Sequence, residues 1–187
     1  MAAAPHEQIP YRIGHGYDLH RLEPRPPRGS GRTLVLGGVT FPDHPTGPIS
    51  HSDGDAVYHA VTDALLGALA LPDIGQLFPD TDAAHESQDS AVFLRKASDQ
   101  MGAAGFQVGN LDITVICESP KIGPHKQRMI QNIARLTDCG IAQVNLKGKT
   151  HEKVDAVGEG RAIEVHAVAR LVRATRPTDT SAQPQRV

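Results

Sequence analysis

The segment GHGYDLH, residues 14–20, places a carboxylate and an imidazole two residues apart. The segment reads as extended chain, and in a β-strand the side chains of residues i and i+2 project from the same face. Asp18 and His20 would therefore lie side by side, and both are side chains that zinc accepts as ligands. The pattern predicts a strand over residues 11–20 that carries half of a metal site.

A second segment, HSDGDAVYH at residues 51–59, offers the missing ligand. His59 falls at the edge of the apolar stripe of a predicted helix, where a lone histidine is more often structural than metal-binding. Together with Asp18 and His20, however, it predicts a three-ligand site with one open position. Such a site is typical of catalytic rather than structural zinc.

The start of the same helix carries further acidic residues. Ser52 and Asp55 have the spacing of a capping box, which predicts a helix that begins after Ser52 and runs to about Ala70. Asp53 and Asp55 could hold the imidazoles from behind, as carboxylates do around metal centres. They could equally complement the positive end of the helix dipole, and the sequence leaves both interpretations open.

The composition argues against several classes of partner. The 187 residues include 19 Lys and Arg against 21 Asp and Glu, and the resulting net charge of −2 argues against coating nucleic acid or an anionic membrane. Three Tyr, four Phe and no Trp argue against a base-stacking surface. No apolar run approaches the roughly 18 residues that span a bilayer.

Cys117 and Cys139 lack a C-x-x-C spacing, and we interpret them as reduced thiols of a cytosolic protein.

One domain, residues 11–175, is expected between a disordered polar leader at 1–10 and a disordered polar tail at 176–187. The leader lacks the apolar core of a secretory signal. We therefore expect a cytoplasmic protein, or a plastid one if a transit peptide has been removed.

Hydrophobic periodicity predicts the secondary structure of this domain. Further strands are predicted at 33–41, 108–117, 143–150 and 162–173, and further helices at 87–104 and 124–139. The first two strands are expected to pair as a hairpin. The predicted fold class is α/β (α+β), with a four- to five-stranded mixed sheet and helices on one face. Since the other face also needs cover, subunit association is expected.

Several motifs together resemble the 2-C-methyl-D-erythritol 2,4-cyclodiphosphate synthases of non-mevalonate isoprenoid biosynthesis. They are GHGYDLH, LGG, SHSDGDAVYHAVTDALLGALALPDIGQLFPDTD and ESPKIGPH, and the resemblance extends from Arg12 to Arg173. It implies a subunit whose sheet packs around a homotrimer axis, with active sites between neighbours. The implied reaction is intramolecular. The 2-phosphate of 4-diphosphocytidyl-2-C-methyl-D-erythritol 2-phosphate attacks the β-phosphorus, CMP leaves, and a cyclic diphosphate forms.

The resemblance also implies roles for individual residues. The metal ligands would be Asp18, His20 and His59 for Zn²⁺ or another divalent transition metal, and Glu152 for Mg²⁺ or Mn²⁺ bridging the diphosphate. The substrate-binding residues would be His51, Ser52, Asp73, Gly75, Phe78, Asp80, Asp82, Lys121, Lys149 and Thr150. The cytidine pocket would be formed by Cys117, Glu118, Ser119, Pro120, Ile122 and Gly123. His51 and Thr150 match catalytic positions.

One region departs from the commoner bacterial pattern. After Glu152 the chain reads KVDAVGEGRAIEVHAVARL, which is two residues shorter and lacks a Phe of that pattern. We therefore do not transfer the isoprenoid diphosphate site found at the trimer axis of some members, and the role of His151 stays open.

Two other functions are compatible with the same residues. One is a zinc-dependent phosphoester hydrolase, in which the open metal position activates water. The other is a non-catalytic trimeric scaffold that keeps its metal or docks with the cytidylyltransferase of the pathway. Oxygen from labelled water in the product would favour the hydrolase, and flux unchanged by a His59 mutation would favour the scaffold.

Overall fold

The computed structural model describes residues 10–79 and 86–174. Its strands are β1 (Tyr11–Pro24), β2 (Leu34–Leu36), β3 (Val39–Phe41), β4 (Thr46–Pro48), β5 (Phe106–Ile116), β6 (Val144–Lys149) and β7 (Ala162–Arg173). Its helices are α1 (Ala56–Ala68), α2 (Ile74–Leu77), α3 (Ser90–Ala103), α4 (Lys126–Leu136) and α5 (Asp155–Gly158). The predicted leader, apart from Pro10, and the predicted tail lie outside the described residues. Among the described helices, none combines the length and apolar character that crossing a bilayer requires.

Five strands form one mixed sheet in the order β4-β1-β7-β5-β6. Strand β7 is antiparallel to both β1 and β5, and β6 is parallel to β5. The carboxyl ends of β1, β5 and β6 therefore lie at the same end of the sheet. Asp18 pairs with Val165, and Val165 pairs with Val115, so Asp18 is level with the last residues of β5. The mixed sheet confirms the predicted fold class.

The burial pattern of β7 shows that one face of the sheet is covered. The side chains buried in the core are those the alternation predicts: Ile163, Val165, Ala167, Ala169 and Leu171. The residues between them project to the opposite face, which we call the open face. Its exposed apolar side chains include Ile13, Tyr17, Leu19 and Val168.

Helix α1 packs directly on the backbone of β1, because two glycines of the strand face it. A Cβ atom built on Gly16 would lie 1.9 Å from the carbonyl oxygen of Ala60, and one on Gly14 would lie 2.0 Å from that of Ala64. The two backbones therefore touch with no side chain between them. This close approach places His59, the residue before Ala60, next to β1.

The predicted hairpin between the first two strands is wrong. Residues 33–41 are not one strand, because Gly37 and Gly38 adopt φ values of +57° and +70° and reverse the chain. Two successive residues with positive φ form the tight turn that a two-residue hairpin loop needs. Strands β2 and β3 therefore pair with each other, and β4 instead pairs with the end of β1.

The helix that carries His59 begins later than predicted. Gly54 has a φ of +74°, which is incompatible with a helix running through it, so Asp55 and not Ser52 is the N-cap of α1. One carboxylate oxygen of Asp55 accepts hydrogen bonds from the N–H groups of Val57, Tyr58 and Gly37, at 3.1, 3.2 and 2.9 Å. The other accepts from Gly38 at 2.7 Å. This fully buried side chain thus joins α1 to the β2–β3 turn.

Asp55→Asn should lower the free energy of unfolding by about 2 kcal/mol. The carboxylate accepts hydrogen bonds through both oxygens, whereas asparagine has only one oxygen, so a buried N–H would be left without an acceptor. Urea denaturation at pH 7 measures this change. Asp89→Asn is the matched control, because Asp89 is an exposed N-cap whose carboxylate caps only Ala91 of α3. Equal losses in the two variants would contradict the joining role of Asp55.

Candidate active site

Three predicted ligands meet where the end of β1 faces the first turns of α1. Asp18 Oδ2 lies 2.7 Å from His20 Nδ1 and 3.4 Å from His59 Nδ1. One ligand atom from each residue lies within 4.8 Å of the other two, and no other group of His, Cys, Asp and Glu in the described part of the chain does this. The strand alternation and the helix register predicted from the sequence therefore converge on one point.

The atoms at this point are suited to a cation. Asp18 Oδ2 and His20 Nδ1 are buried, and although they are close, neither has a partner in hydrogen-bonding geometry. Buried polar atoms are nearly always satisfied, and leaving them unsatisfied is costly. A divalent transition metal would satisfy both atoms together with His59, so the residues present fit such an ion.

The carboxylate of Asp18 dominates the electrostatics. Burial by itself raises the pKa of Asp18, but the nearby imidazoles of His20 and His59 outweigh it and lower the pKa to about 2. Burial lowers the pKa of His59, but Asp18 more than offsets this and raises it overall. Asp18 is therefore ionised at neutral pH, and its oxygen attracts positive charge.

A hydrogen-bond chain behind His59 fixes which ring nitrogen faces Asp18. His59 Nε2 lies 2.8 Å from Ser90 Oγ, and the Ser90 hydroxyl donates to Asp53 Oδ1. Since Ser90 donates its proton to Asp53, it accepts one from Nε2–H of His59. The lone pair of Nδ1 is then left to face Asp18 and a metal.

One cleft, which we call the metal cleft, opens beside His59 with a volume of about 320 Å³. Its lining residues are Ile49, Ser50, His51, Ser52, His59, Ile74, Gly75, Phe78 and Phe93. Asp63 stabilises the part of the cleft wall formed by Ile74, because Asp63 Oδ1 accepts a hydrogen bond from the N–H of Ile74 at 2.8 Å. Burial raises the pKa of Asp63.

A second cleft, which we call the loop cleft, has a volume of about 570 Å³ and lies at the carboxyl ends of β5 and β6. Its lining residues are Cys117, Glu118, Pro120, Lys121, Ile122, Gly123, Pro124, Gly148, Lys149 and Thr150. Burial raises the pKa of the Cys117 thiol to about 11, so this side chain is protonated at neutral pH. Among the described residues, none lines both clefts.

A family model described as YgbB family matches residues 11–172. The chain belongs to the YgbB family. The chloroplastic 2-C-methyl-D-erythritol 2,4-cyclodiphosphate synthase of Catharanthus roseus is 49% identical over 172 residues, covering 92% of this chain and 70% of the relative. The synthase of Aromatoleum aromaticum is 51% identical over 166 residues, covering 89% and 96%. A solved structure titled as the IspF–CDP complex of Plasmodium falciparum matches with a TM-score of 0.76 and 39% identity, covering 88% and 97%.

In this YgbB-family chain, most of the residues predicted to form a site gather in three groups. The candidate metal centre unites Asp18, His20 and His59, and the metal cleft unites His51, Ser52, Gly75 and Phe78. The loop cleft unites Cys117, Glu118, Pro120, Lys121, Ile122, Gly123, Lys149 and Thr150. Asp80 and Asp82 lie outside the described residues.

Three predicted residues lie apart from these groups. Asp73 is the N-cap of α2, where its Oδ1 accepts from the N–H of Gln76 at 2.8 Å, and it does not line the metal cleft. Ser119 does not line the loop cleft. Glu152 is exposed, with its Oε1 3.3 Å from Thr150 Oγ1, and is not part of the Asp18 cluster.

The sequence left two roles open for Asp53 and Asp55, and in the structure each residue has a different one of them. Asp53 supports the imidazole of His59 through Ser90, whereas Asp55 caps the helix and makes no such contact. Ser90 itself was not predicted, because it lies 31 residues from His59 in the sequence and no spacing rule connects them.

Ser90→Ala should weaken zinc binding about 10-fold or more, because loss of the group that orients a metal-binding imidazole typically has that effect. Titration of the metal-free protein with Zn²⁺ against a competing chelator measures it. Ser98→Ala is the matched control, since Ser98 is buried on the same helix two turns further on. Equal zinc affinities for Ser90→Ala and wild type would refute the orienting role.

Proposed function

We infer that the chain converts 4-diphosphocytidyl-2-C-methyl-D-erythritol 2-phosphate to 2-C-methyl-D-erythritol 2,4-cyclodiphosphate and CMP. It is a lyase of the non-mevalonate route to isoprenoids. The observation that carries this conclusion is the convergence of Asp18, His20 and His59 on one point beside a cleft, in a chain whose relatives carry the name of that synthase.

We propose that Asp18, His20 and His59 hold Zn²⁺ and that Glu152 holds Mg²⁺ or Mn²⁺. Asp18, His20 and His59 would hold the zinc ion, and the charge stabilisation it would supply is directed at the phosphate oxygens of the substrate. A hard ion such as Mg²⁺ is commonly bound by one or two carboxylates plus substrate phosphates, which suits the exposed Glu152. The buried, unsatisfied atoms of Asp18 and His20 support the first assignment.

The residues of the clefts would orient the reacting groups. His51 and Ser52 line the metal cleft and are proposed to hold the 2-phosphate, while Gly75 and Phe78 contact the methylerythritol. Keeping the 2-phosphate close to the β-phosphorus gives the large rate advantage of an oriented intramolecular reaction. This task requires no enzyme nucleophile, and the protonated thiol of Cys117 fits that requirement.

The loop cleft is proposed to bind the cytidine end of the substrate. Its wall from Cys117 to Gly123 would surround the base. The ammonium groups of Lys121 and Lys149, with the hydroxyl of Thr150, would balance the charge that develops as CMP leaves. The solved relative with bound CDP supports a cytidine nucleotide as the ligand of this fold.

We propose a homotrimer in which each active site combines the metal cleft of one subunit with the loop cleft of its neighbour. Ile13 is 63% exposed and Leu19 is 46% exposed on the open face, so a sizeable apolar surface is left without cover in one chain. The two clefts also share no described residue, which is expected if a neighbour completes the site.

The decisive experiment measures the products from the cytidyl substrate with Zn²⁺ and Mg²⁺ present. We expect CMP and the cyclic diphosphate in equal amounts, with no oxygen taken from ¹⁸O-labelled water. A metal-loaded trimer that releases no CMP would reject the proposal. A linear product carrying solvent oxygen would instead identify a zinc-dependent hydrolase.

Glu152→Gln should raise the Mg²⁺ concentration needed for half-maximal activity by about 10-fold, because the neutral amide loses the charge that the hard ion prefers. The bound zinc should be unchanged, since Glu152 lies outside the three-ligand cluster. Activity against Mg²⁺ concentration, with zinc content measured in parallel, tests both statements. Glu159→Gln is the matched control and should leave the Mg²⁺ requirement unchanged, because Glu159 is also an exposed glutamate but lines neither cleft.

A further inference from the structure

One histidine outside both clefts connects two distant loops. His44 Nδ1 lies 2.8 Å from the carbonyl oxygen of Thr46, and His44 Nε2 lies 3.1 Å from Ser119 Oγ. A carbonyl oxygen only accepts, so Nδ1 carries the proton and donates it. In the neutral ring Nε2 then offers a lone pair, and the Ser119 hydroxyl donates to it.

The serine of this contact belongs to the wall of the loop cleft but faces away from its interior. Ser119 does not line the loop cleft, whereas its neighbours Glu118 and Pro120 do. Pro120 also borders a cavity of about 370 Å³ on the other side of the wall, which His44 lines as well. The His44–Ser119 contact therefore supports the wall from behind.

The loop that carries His44 is itself tied by hydrogen bonds to Arg25, the residue that follows β1. The Arg25 guanidinium donates to the carbonyl oxygen of Pro42 and, at 3.0 Å, to Thr33 Oγ1. The N–H of Arg25 donates to the carbonyl of Pro45 at 3.1 Å. His44 is thus held between two anchored prolines and provides a fixed support for Ser119.

We propose that His44 is a positioning residue for the cytidine nucleotide: its hydrogen bond to Ser119 holds the Glu118–Pro120 wall in the conformation that binds the base. This inference rests on the proposed function of the loop cleft. Without the bond, the wall must be ordered when the nucleotide binds, and that ordering reduces affinity. The metal centre lies in the other cleft and should not respond.

The test is calorimetric titration of CDP, with Mg²⁺, into the zinc-loaded wild type and into His44→Ala, Ser119→Ala and the double variant. We expect about three- to tenfold weaker binding in each single variant, the range for loss of one neutral hydrogen bond. The double variant should be no weaker than either single one, because both substitutions remove the same bond. Zinc content should stay at the wild-type value throughout.

Two further variants distinguish a positioning role of His44 from a general disruption of the loop. His44→Gln keeps an acceptor oxygen near the position of Nε2 and should restore most of the affinity. Asp43→Ala, at an exposed neighbour in the same loop, should bind CDP as the wild type does. Wild-type affinity in His44→Ala, or losses that add in the double variant, would overturn the proposal. A wild type that binds no cytidine nucleotide would instead overturn the function assigned to the loop cleft.

Discussion

Replacing His59 with alanine should abolish high-affinity zinc binding and lower turnover by about 10³-fold or more, because metal stabilisation of phosphoryl charge is worth several kcal/mol and each 1.4 kcal/mol is a factor of ten. Asp18→Ala should do the same, since Asp18 supplies the anionic oxygen between the two imidazoles. The fold should persist in both variants, because neither side chain belongs to the hydrophobic core.

The measurements are zinc content by mass spectrometry, CMP release, and the thermal unfolding midpoint. Asp99→Ala is the matched control, because Asp99 is an exposed acid on α3 and should keep both zinc and turnover. Full activity of His59→Ala in protein shown to be free of metal would contradict the assignment of the centre. Equal losses in Asp99→Ala would point to a non-specific effect.

Gly16→Ala should destabilise the protein strongly, with a loss of about 3 kcal/mol, the upper end of the usual cost of overpacking. The added Cβ would meet the carbonyl oxygen of Ala60 at 1.9 Å and the nitrogen of Ala64 at 2.6 Å, and neither backbone atom can rotate away. Helix α1 must therefore shift from β1. That shift carries His59 away from Asp18, so zinc affinity should fall as well.

Gly102→Ala provides a control of opposite sign. Gly102 lies near the end of α3, and a Cβ built there would contact nothing within 4 Å. Alanine at an exposed helical position should stabilise the protein by roughly 0.5–1 kcal/mol. Urea denaturation of the two variants measures the contrast, and a Gly16→Ala protein as stable as wild type would show that α1 is not held against the strand backbone.

The parts of the site that local periodicity determines could be predicted from the sequence. Asp18 and His20 share a face because a strand repeats every two residues, and β7 occupies the predicted residues 162–173 because its apolar alternation is regular. His59 was placed on the correct face of its helix for the same kind of reason. These inferences needed no knowledge of which elements touch.

The remaining features depend on contacts between distant residues. Asp55 caps α1 in preference to Ser52 because Gly54 turns the chain, and its second oxygen binds a hairpin turn 17 residues away. Ser90 reaches His59 across 31 residues, and His44 reaches Ser119 across 75. No local pattern encodes such pairs. The pairing of β4 with β1 could likewise not be predicted from the sequence, because a three-residue strand has too few positions to show alternation.

The separation of the two clefts has a consequence for how a catalytic cycle ends. In the proposed trimer, a substrate that reaches from the metal cleft to the loop cleft would be held at both ends, and binding of one end would raise the effective concentration of the other. Once the bond to CMP breaks, each product would keep only the contacts with the cleft in which it lies. In the proposed reaction, bond cleavage would thus divide one molecule anchored at two points into two products that are each anchored at one, so each would dissociate more readily.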